Sequence, residues 1–232
     1  MRTSIGRPCA IPCRPPPRIR RARGASPGIE SRLKEDNAAM ISASESSESS
    51  SSSTLPSAHD VVQFWREAGP KRWFAKDEAF DAAFAGRFVE AHHAAARGEL
   101  DDWMNDAEGT LALLVLLDQL PRNAWRDNAH MLATDGKALA VAHHAVEAGF
   151  DRQLEEVLRP FFYMPFMHSE VLAEQERSVV HCGALDANTL RFAVLHRDIV
   201  ARFGRFPHRN RMLGRASTPE EEKFLAEGGF KG

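Results

Sequence analysis

Three short stretches of this chain concentrate side chains able to do chemistry: DQLPRN at 118–123, PFMHSE at 165–170 and RFGRFPHRN at 202–210. The first supplies Asp118, Arg122 and Asn123. The second sets His168 two residues before Glu170. The third holds Arg202, Arg205, His208, Arg209 and Asn210, with Arg211 and Arg215 close behind. Arginine's planar fork suits carboxylates and phosphates, and histidine, titrating near neutrality, serves as acid or base. Such a set fits an active site, an anion-binding pocket, or polar staples that hold helices together.

Asp118 gives the sharpest physical constraint. It stands at the C-terminal end of an apolar helical stretch, where the helix dipole disfavours an anion and the neighbours imply burial. It therefore needs a cation or several donors. Arg122 is near in sequence, and Arg205 or Arg209 can arrive from the third stretch. One reading makes this an Asp–Arg staple; the other makes Asp118 orient an arginine or histidine that meets a ligand. The fork of Arg209 is expected to serve a buried acid, and Phe206-Pro207 to hold His208, Arg209 and Asn210 rigidly. The binding candidates are thus Asp118, Arg122, Asn123, Arg205, Arg209 and Asn210. His168, Glu170 and His208 are the acid/base candidates, although His168 and Glu170 diverge if both are helical.

Neither a metal nor a cofactor is expected. Paired CxxC spacing is absent, and His92-His93 and His143-His144 lack the i,i+4 arrangement of a helical metal pair. No phosphate loop, nucleotide fingerprint or nucleophile motif is present. His196 lies on the Phe192, Ile199, Val200, Phe203 face and reads as a core histidine. Gln175 and Ser178 share a stripe with Val171, Leu172 and Val179, so they must find interior hydrogen bonds.

The elements that position these groups all show helical spacing. Ser57 is a cap for a helix carrying Val61, Val62, Phe64 and Trp65, ended by Gly69-Pro70, with a connector at 71–76. Asp77 caps the next, with Phe80, Phe84, Phe88 and His92 on one face, and Gly98 stops it. The next helix, near 107–119, carries LALLVLLDQL at 111–120, which is apolar on nearly all sides and must be covered by its neighbours. A long helix is expected over 128–148 with Gly149 as its stop, then helix broken at Pro160 and Pro165. One more begins at Ser169, and another runs from an Asn188 cap to Phe203-Gly204. Thr218, Pro219 and Glu221 form a capping box for the last. No period-two alternation with hairpin turns occurs, so the fold class is all-α, an irregular array of antiparallel helices.

Composition narrows the classes further. Of 232 residues, 43% are apolar and 27% charged, as in soluble globular chains, and no apolar run reaches the ~18 residues of a membrane helix. Cys9 and Cys13 lie in the head, leaving Cys182 alone in the domain. That fits a reducing compartment, and a cytoplasmic setting is expected. Residues 1–39 carry nine basic and three acidic side chains; the remainder, with 21 basic and 29 acidic, is acidic overall, which argues against nucleic acid as its partner. The Arg- and Pro-rich head reads either as an organelle transit peptide or as an over-extended gene start with Met40 the initiator. The serine run from Ser42 to Ser53 cannot build a core and is expected to be disordered. Residues 1–56 are thus a head and leader, and 57–232 a single domain.

FW at 64–65, WF at 73–74, LLDQLPRN at 116–123, PFMHSE at 165–170, RFGRFPHRN at 202–210, LGR at 213–215 and STPEE at 217–221 occur in that order. Together they resemble the DUF924 family, a bacterial and fungal domain of unknown function, over nearly all of 58–230. Leu120 stands where that family usually shows an aromatic. The resemblance implies an all-helical fold similar to tetratricopeptide-like superhelices and implies no established reaction. The leading expectation is a scaffold that binds a small anionic ligand or a protein partner, with no membrane role. The rival is an enzyme acting on a small phosphorylated or carboxylated substrate, with His168 or His208 as acid/base and Arg122, Arg205 and Arg209 as anion clamps.

Overall fold

The computed structural model describes residues 55–232. The expectations for the head, the Met40 start and the serine run fall outside the described residues. Among those described, every regular element is helical. None of these helices is long and apolar enough to cross a membrane.

Helix α1 (Ala58–Trp73) starts on Ser57, which forms a reciprocal capping box with Asp60. The regular helix breaks at Gly69-Pro70 as expected, and a further helical turn follows across the kink to Trp73. Gly69 takes φ +68°, a left-handed conformation strained for residues with a Cβ. The extra turn carries Trp73 back inside, where its indole N–H donates to the Trp65 carbonyl at 2.6 Å. Asp77 then caps α2 (Glu78–Arg97) by accepting from the N–H groups of Ala79 and Phe80. Phe80 and Phe84 stack on Phe64 of α1, each with ring centroids 5.5 Å apart.

Helix α3 (Ala107–Leu114) is the covered central helix, and every residue from Leu111 to Leu117 is inaccessible. The chain does not leave the helix at DQLPRN. A π-helical turn, Val115–Gln119, leads straight into α4 (Leu120–Ala124). Pro121 supplies the physical reason: it has no N–H to donate, and its ring crowds the carbonyl four residues back. Widening the turn relieves that crowding and loosens three carbonyls, which side chains then cap. His92 Nδ1–H donates to Leu116 at 2.9 Å, the Thr134 hydroxyl to Leu117 at 2.5 Å, and Arg122 to Asp118 at 2.8 Å.

The single helix expected over 128–148 is divided. Asn128 caps a 3-10 turn, Ala129–Leu132, and α5 spans Asp135–Ala148. Two further 3-10 turns precede α6 (Pro160–His168), where Pro160 occupies the first turn and Pro165 lies inside without breaking it. Helix α7 (Leu172–Cys182) follows Val171, one turn later than a Ser169 start. Asp186, not Asn188, caps α8 (Ala187–Phe203), its carboxylate taking the N–H groups of both Asn188 and Thr189. Helix α9 (Pro219–Ala226) begins on the Thr218/Glu221 box.

In the second half consecutive helices pack on one another, α5 on α6, α6 on α7 and α7 on α8. In the first half α1 reaches past α2 to α3, and α2 reaches past α3 to α4. The array is all-α and irregular. One large apolar core runs from Val61 to Ala193, and a small second one gathers Ile199, Val200 and Phe206 with Phe203, Phe224 and Phe230.

Candidate functional site

The π-turn aims Asp118 inward, where it is 1% exposed. Its Oδ1 accepts from His168, at the end of α6, at 2.8 Å and stands 3.1 Å from Nη1 of Arg122; Oδ2 accepts from the Gln119 amide at 2.6 Å. Arg122 also spans to Asp135 at the start of α5, at 2.9 and 3.1 Å. Burial by itself would raise the Asp118 pKa, but Arg122 and then His168 outweigh it and hold the carboxyl below its ordinary range. An ionised carboxylate only accepts, so Nδ1 of His168 carries the proton and Nε2 presents a lone pair. Burial and then Arg122 push the His168 pKa down against the pull of Asp118, which keeps the imidazole neutral. The side chain retains 16% exposure.

Arg209 joins this group from a 3-10 turn, Pro207–Arg209, that Phe206 introduces. Its guanidinium lies over the Phe206 ring at 4.4 Å, and the residue is 8% exposed. A guanidinium carries five N–H donors. Among the described residues its one hydrogen bond runs from Nη1 to the His168 carbonyl at 3.0 Å. The one carboxylate in ion-pair range, Asp135, stands 3.7 Å from the same nitrogen. The buried acid expected for this fork is therefore not at hydrogen-bond distance, because Arg122 already holds both Asp118 and Asp135. Burial and then Arg122 push the Arg209 pKa down to about 10.

Two more histidines border Arg209. Burial, then His168, lowers the His196 pKa to about 3; burial, then Arg209, lowers that of His208 to about 4. His196 Nδ1–H donates to the Phe192 carbonyl at 2.8 Å, whereas Nδ1 of His208 is buried with no partner among the described residues.

The other candidates form a separate cluster. Glu170 accepts both arms of Arg215, at 2.6 and 2.9 Å, and the Phe206 N–H at 2.8 Å. It is turned away from His168, so the two make no acid/base pair. Arg205 grips Glu221 at 2.6 and 2.8 Å and the Ala216 carbonyl at 2.9 Å, so it does not reach Asp118. Asn210 donates to Ser217 and Glu221 and accepts from Arg215. Asn123 points elsewhere, to Asp81 at 2.6 Å, which Arg126 also holds. The structure thus brings together Asp118, Arg122, His168 and Arg209, with His208 beside them, and leaves Glu170, Arg205 and Asn210 as a clasp on α9.

Sequence reasoning missed Asp135, an ordinary acidic residue in a helix's first turn, and Phe230 near the C-terminus. Gln175 does find interior partners, donating to the Met167 and Ser169 carbonyls at 2.6 Å and so shaping the turn after His168. Val171 and Leu172, expected on its apolar stripe, are exposed. Burial pushes the Cys182 thiol up to about 11, too high for a reactive thiolate. No group of three His, Cys, Asp or Glu among the described residues is arranged to hold a metal. A surface groove of about 640 Å³, lined by Trp73, Phe74, Val157, Pro160 and Leu185 among others, lies away from the arginine–histidine cluster.

The profile of a family described as "Bacterial protein of unknown function (DUF924)" matches residues 61–229. Among solved structures, the protein of unknown function ATU0120 from Agrobacterium tumefaciens is 53% identical, with a TM-score of 0.73, over 74% of this chain and 97% of that one. No curated protein matches.

Proposed function

Because this chain belongs to the bacterial family of unknown function DUF924, whose description assigns no reaction, we propose a role from the site itself: a binding scaffold for a small anionic ligand held by Arg209. The observation that carries this is an arginine, 8% exposed as a residue, whose guanidinium makes one hydrogen bond among the described residues, to a carbonyl. The remaining nitrogens of the fork are not among the buried atoms left without a partner, so they stand at the open edge of the cluster, within reach of a ligand. A carboxylate or phosphate placed on that edge would take up these donors with charge-assisted, bidentate bonds. Arg122 adds positive potential while Asp118 and Asp135 keep it fixed. Asp118 acts as a positioning residue, holding His168 so that Nε2 can accept from a protonated phosphate or a ligand hydroxyl.

Calorimetric titration with inorganic phosphate and short carboxylates tests this reading. The parent should bind at least one of these classes, and Arg209→Gln should weaken that binding by about tenfold or more, the worth of one charge-assisted bond. A parent that binds none of them, or a variant that binds equally well, removes the reading.

The rival reading, an enzyme, draws on the Asp118–His168 contact, since a histidine whose Nδ1–H is held by a carboxylate keeps a basic Nε2. It requires turnover of a phosphomonoester or carboxylic ester that His168→Gln abolishes. The lead reading takes residues 57–232 as the binding unit and a reducing, cytoplasmic setting, supported by the one free thiol among the described residues. A chain starting at Met40 that bound differently from the full chain would refute that boundary.

A further inference from the structure

The C-terminal segment lies on the same histidines. Helix α9 ends at Ala226, and the chain turns back through Gly228, φ +89°, and Gly229. A Cβ on Gly229 would stand 2.6 Å from the ring and the carbonyl of Phe224, so only glycine lets the backbone pass there. The turn sets the Phe230 ring edge-on to His196 at 4.6 Å and to His208 at 5.4 Å. Phe206, the ring under Arg209, forms the third wall, 5.4 Å from His196 and 5.5 Å from His208. All four separations fall in the range of aromatic contact, ~4.5–7 Å.

We propose that Phe230 occupies an aromatic subsite beside Arg209, and that the ligand is an anion bearing a flat ring that takes this place when the segment lifts away. The proposal rests on the anion reading above. Three features support a borrowed place. The walls are two imidazoles and a phenyl ring, surfaces that hold any flat ring. Phe230 itself is only partly buried, whereas the Phe206 wall is fully buried. Among the described residues Nδ1 of His208 is buried without a partner, and the hydrocarbon ring beside this imidazole supplies none; a ligand ring carrying a hydroxyl or ring N–H could. The Gly229 N–H donates to the Phe224 carbonyl of α9 at 2.9 Å, so the segment swings out beyond that bond and leaves the helix end capped. The competing explanation is that Phe230 merely seals the small C-terminal core.

Inorganic phosphate and phenyl phosphate, titrated into the full chain and into Phe230→Ala, separate these explanations. Phosphate should bind both proteins with similar affinity. Phenyl phosphate should bind Phe230→Ala about tenfold tighter than phosphate does, the worth of one ring packed among aromatics, and should gain less in the full chain. Equal affinities of the two ligands for the variant overturn the subsite and leave the anion reading standing. Binding of phosphate, phenyl phosphate and short carboxylates to neither protein overturns both, so the two failures are distinguishable. A measurement on the unaltered chain covers a variant that misfolds: phenyl phosphate, but not inorganic phosphate, should accelerate chymotryptic cleavage after Phe230. No acceleration overturns the proposal.

Discussion

Glu221 and Asp118 are both carboxylates no more than 2% exposed and held by arginines, yet their surroundings end differently. Around Glu221 the accounts of donors and acceptors close: Arg205 delivers two bonds to it and one to a carbonyl, and Asn210 and the Thr218 N–H fill what remains. Glu170 is closed in the same way by Arg215 and the Phe206 N–H. Around Asp118 they do not. Arg122 takes Asp118 and Asp135 together, and Arg209 arrives at the same place with one carbonyl and a carboxylate 3.7 Å away. Both clusters are rich in arginine, so richness does not mark a site; unspent donors do. A clasp of closed pairs contributes stability, while a buried cation without its acid lowers stability and is kept where it binds something.

The comparison can be broken at several points, and the largest effect belongs to Asp118. Replacing it by Asn leaves Arg122 and His168 facing an amide, and breaking a buried pair costs about 3–5 kcal/mol. Urea denaturation should show that loss; a neutral result would mean Asp118 does not anchor the cluster.

Acid should act on the Asp118 side in two steps. His196 and His208 are neutral in the folded chain, with pKa values of about 3 and about 4 against 6.5 when unfolded. The unfolded chain therefore takes up protons first as the pH falls. Stability is full above about pH 6.5 and declines until the folded values are reached, by on the order of 3 kcal/mol for His208. Asp118 has the same sign of linkage in a lower window, since its lowered pKa gives stability that is present above pH 3.8 and lost as the pH falls toward about 2. Denaturation at neutral pH and near pH 5 should differ clearly. A flat profile between them would show that the histidines are not buried as neutral groups.

Glu170→Gln should cost less, about 1–3 kcal/mol, because the pair with Arg215 is only partly buried and an amide keeps one acceptor. If this variant lost as much as Asp118→Asn, the clasp would be as critical as the site and the contrast between them would shrink. Arg209→Met is the smallest, within about 1 kcal/mol of the parent and on the stabilising side, since methionine keeps apolar contact with Phe206 and removes the unpaired charge.

Much of the scaffold was legible because local rules acted alone. Ser57, Asp77 and the Thr218/Glu221 box cap where their spacing says, and the unbroken apolar surface of LALLVLLDQL marks the covered helix. The π-turn was not legible, since it depends on Pro121 and on Thr134 arriving to cap the Leu117 carbonyl. The site divides along the same line. Arg122 sits four residues from Asp118, a spacing visible in sequence, whereas His168 lies 50 residues on and Asp135 fell inside the helix expected over 128–148 with nothing to set it apart. Arg205 was grouped with Asp118 because nothing local revealed that Glu221, already explained as a cap, had a second role. Phe230 drew no notice because its partners are set by a turn at two glycines, and only the folded chain shows what that turn brings together.

The central claim, that Arg209 is kept for an anion, is tested most directly by the melting temperatures of the parent and Arg209→Met, each with and without inorganic phosphate. Without phosphate the variant should melt at or above the parent. With phosphate at about a hundred times its dissociation constant the parent should gain roughly 2.7 kcal/mol, and the variant should gain nothing. A variant that melts well below the parent, or that gains as much from phosphate, would contradict the claim and return Arg209 to the clasp.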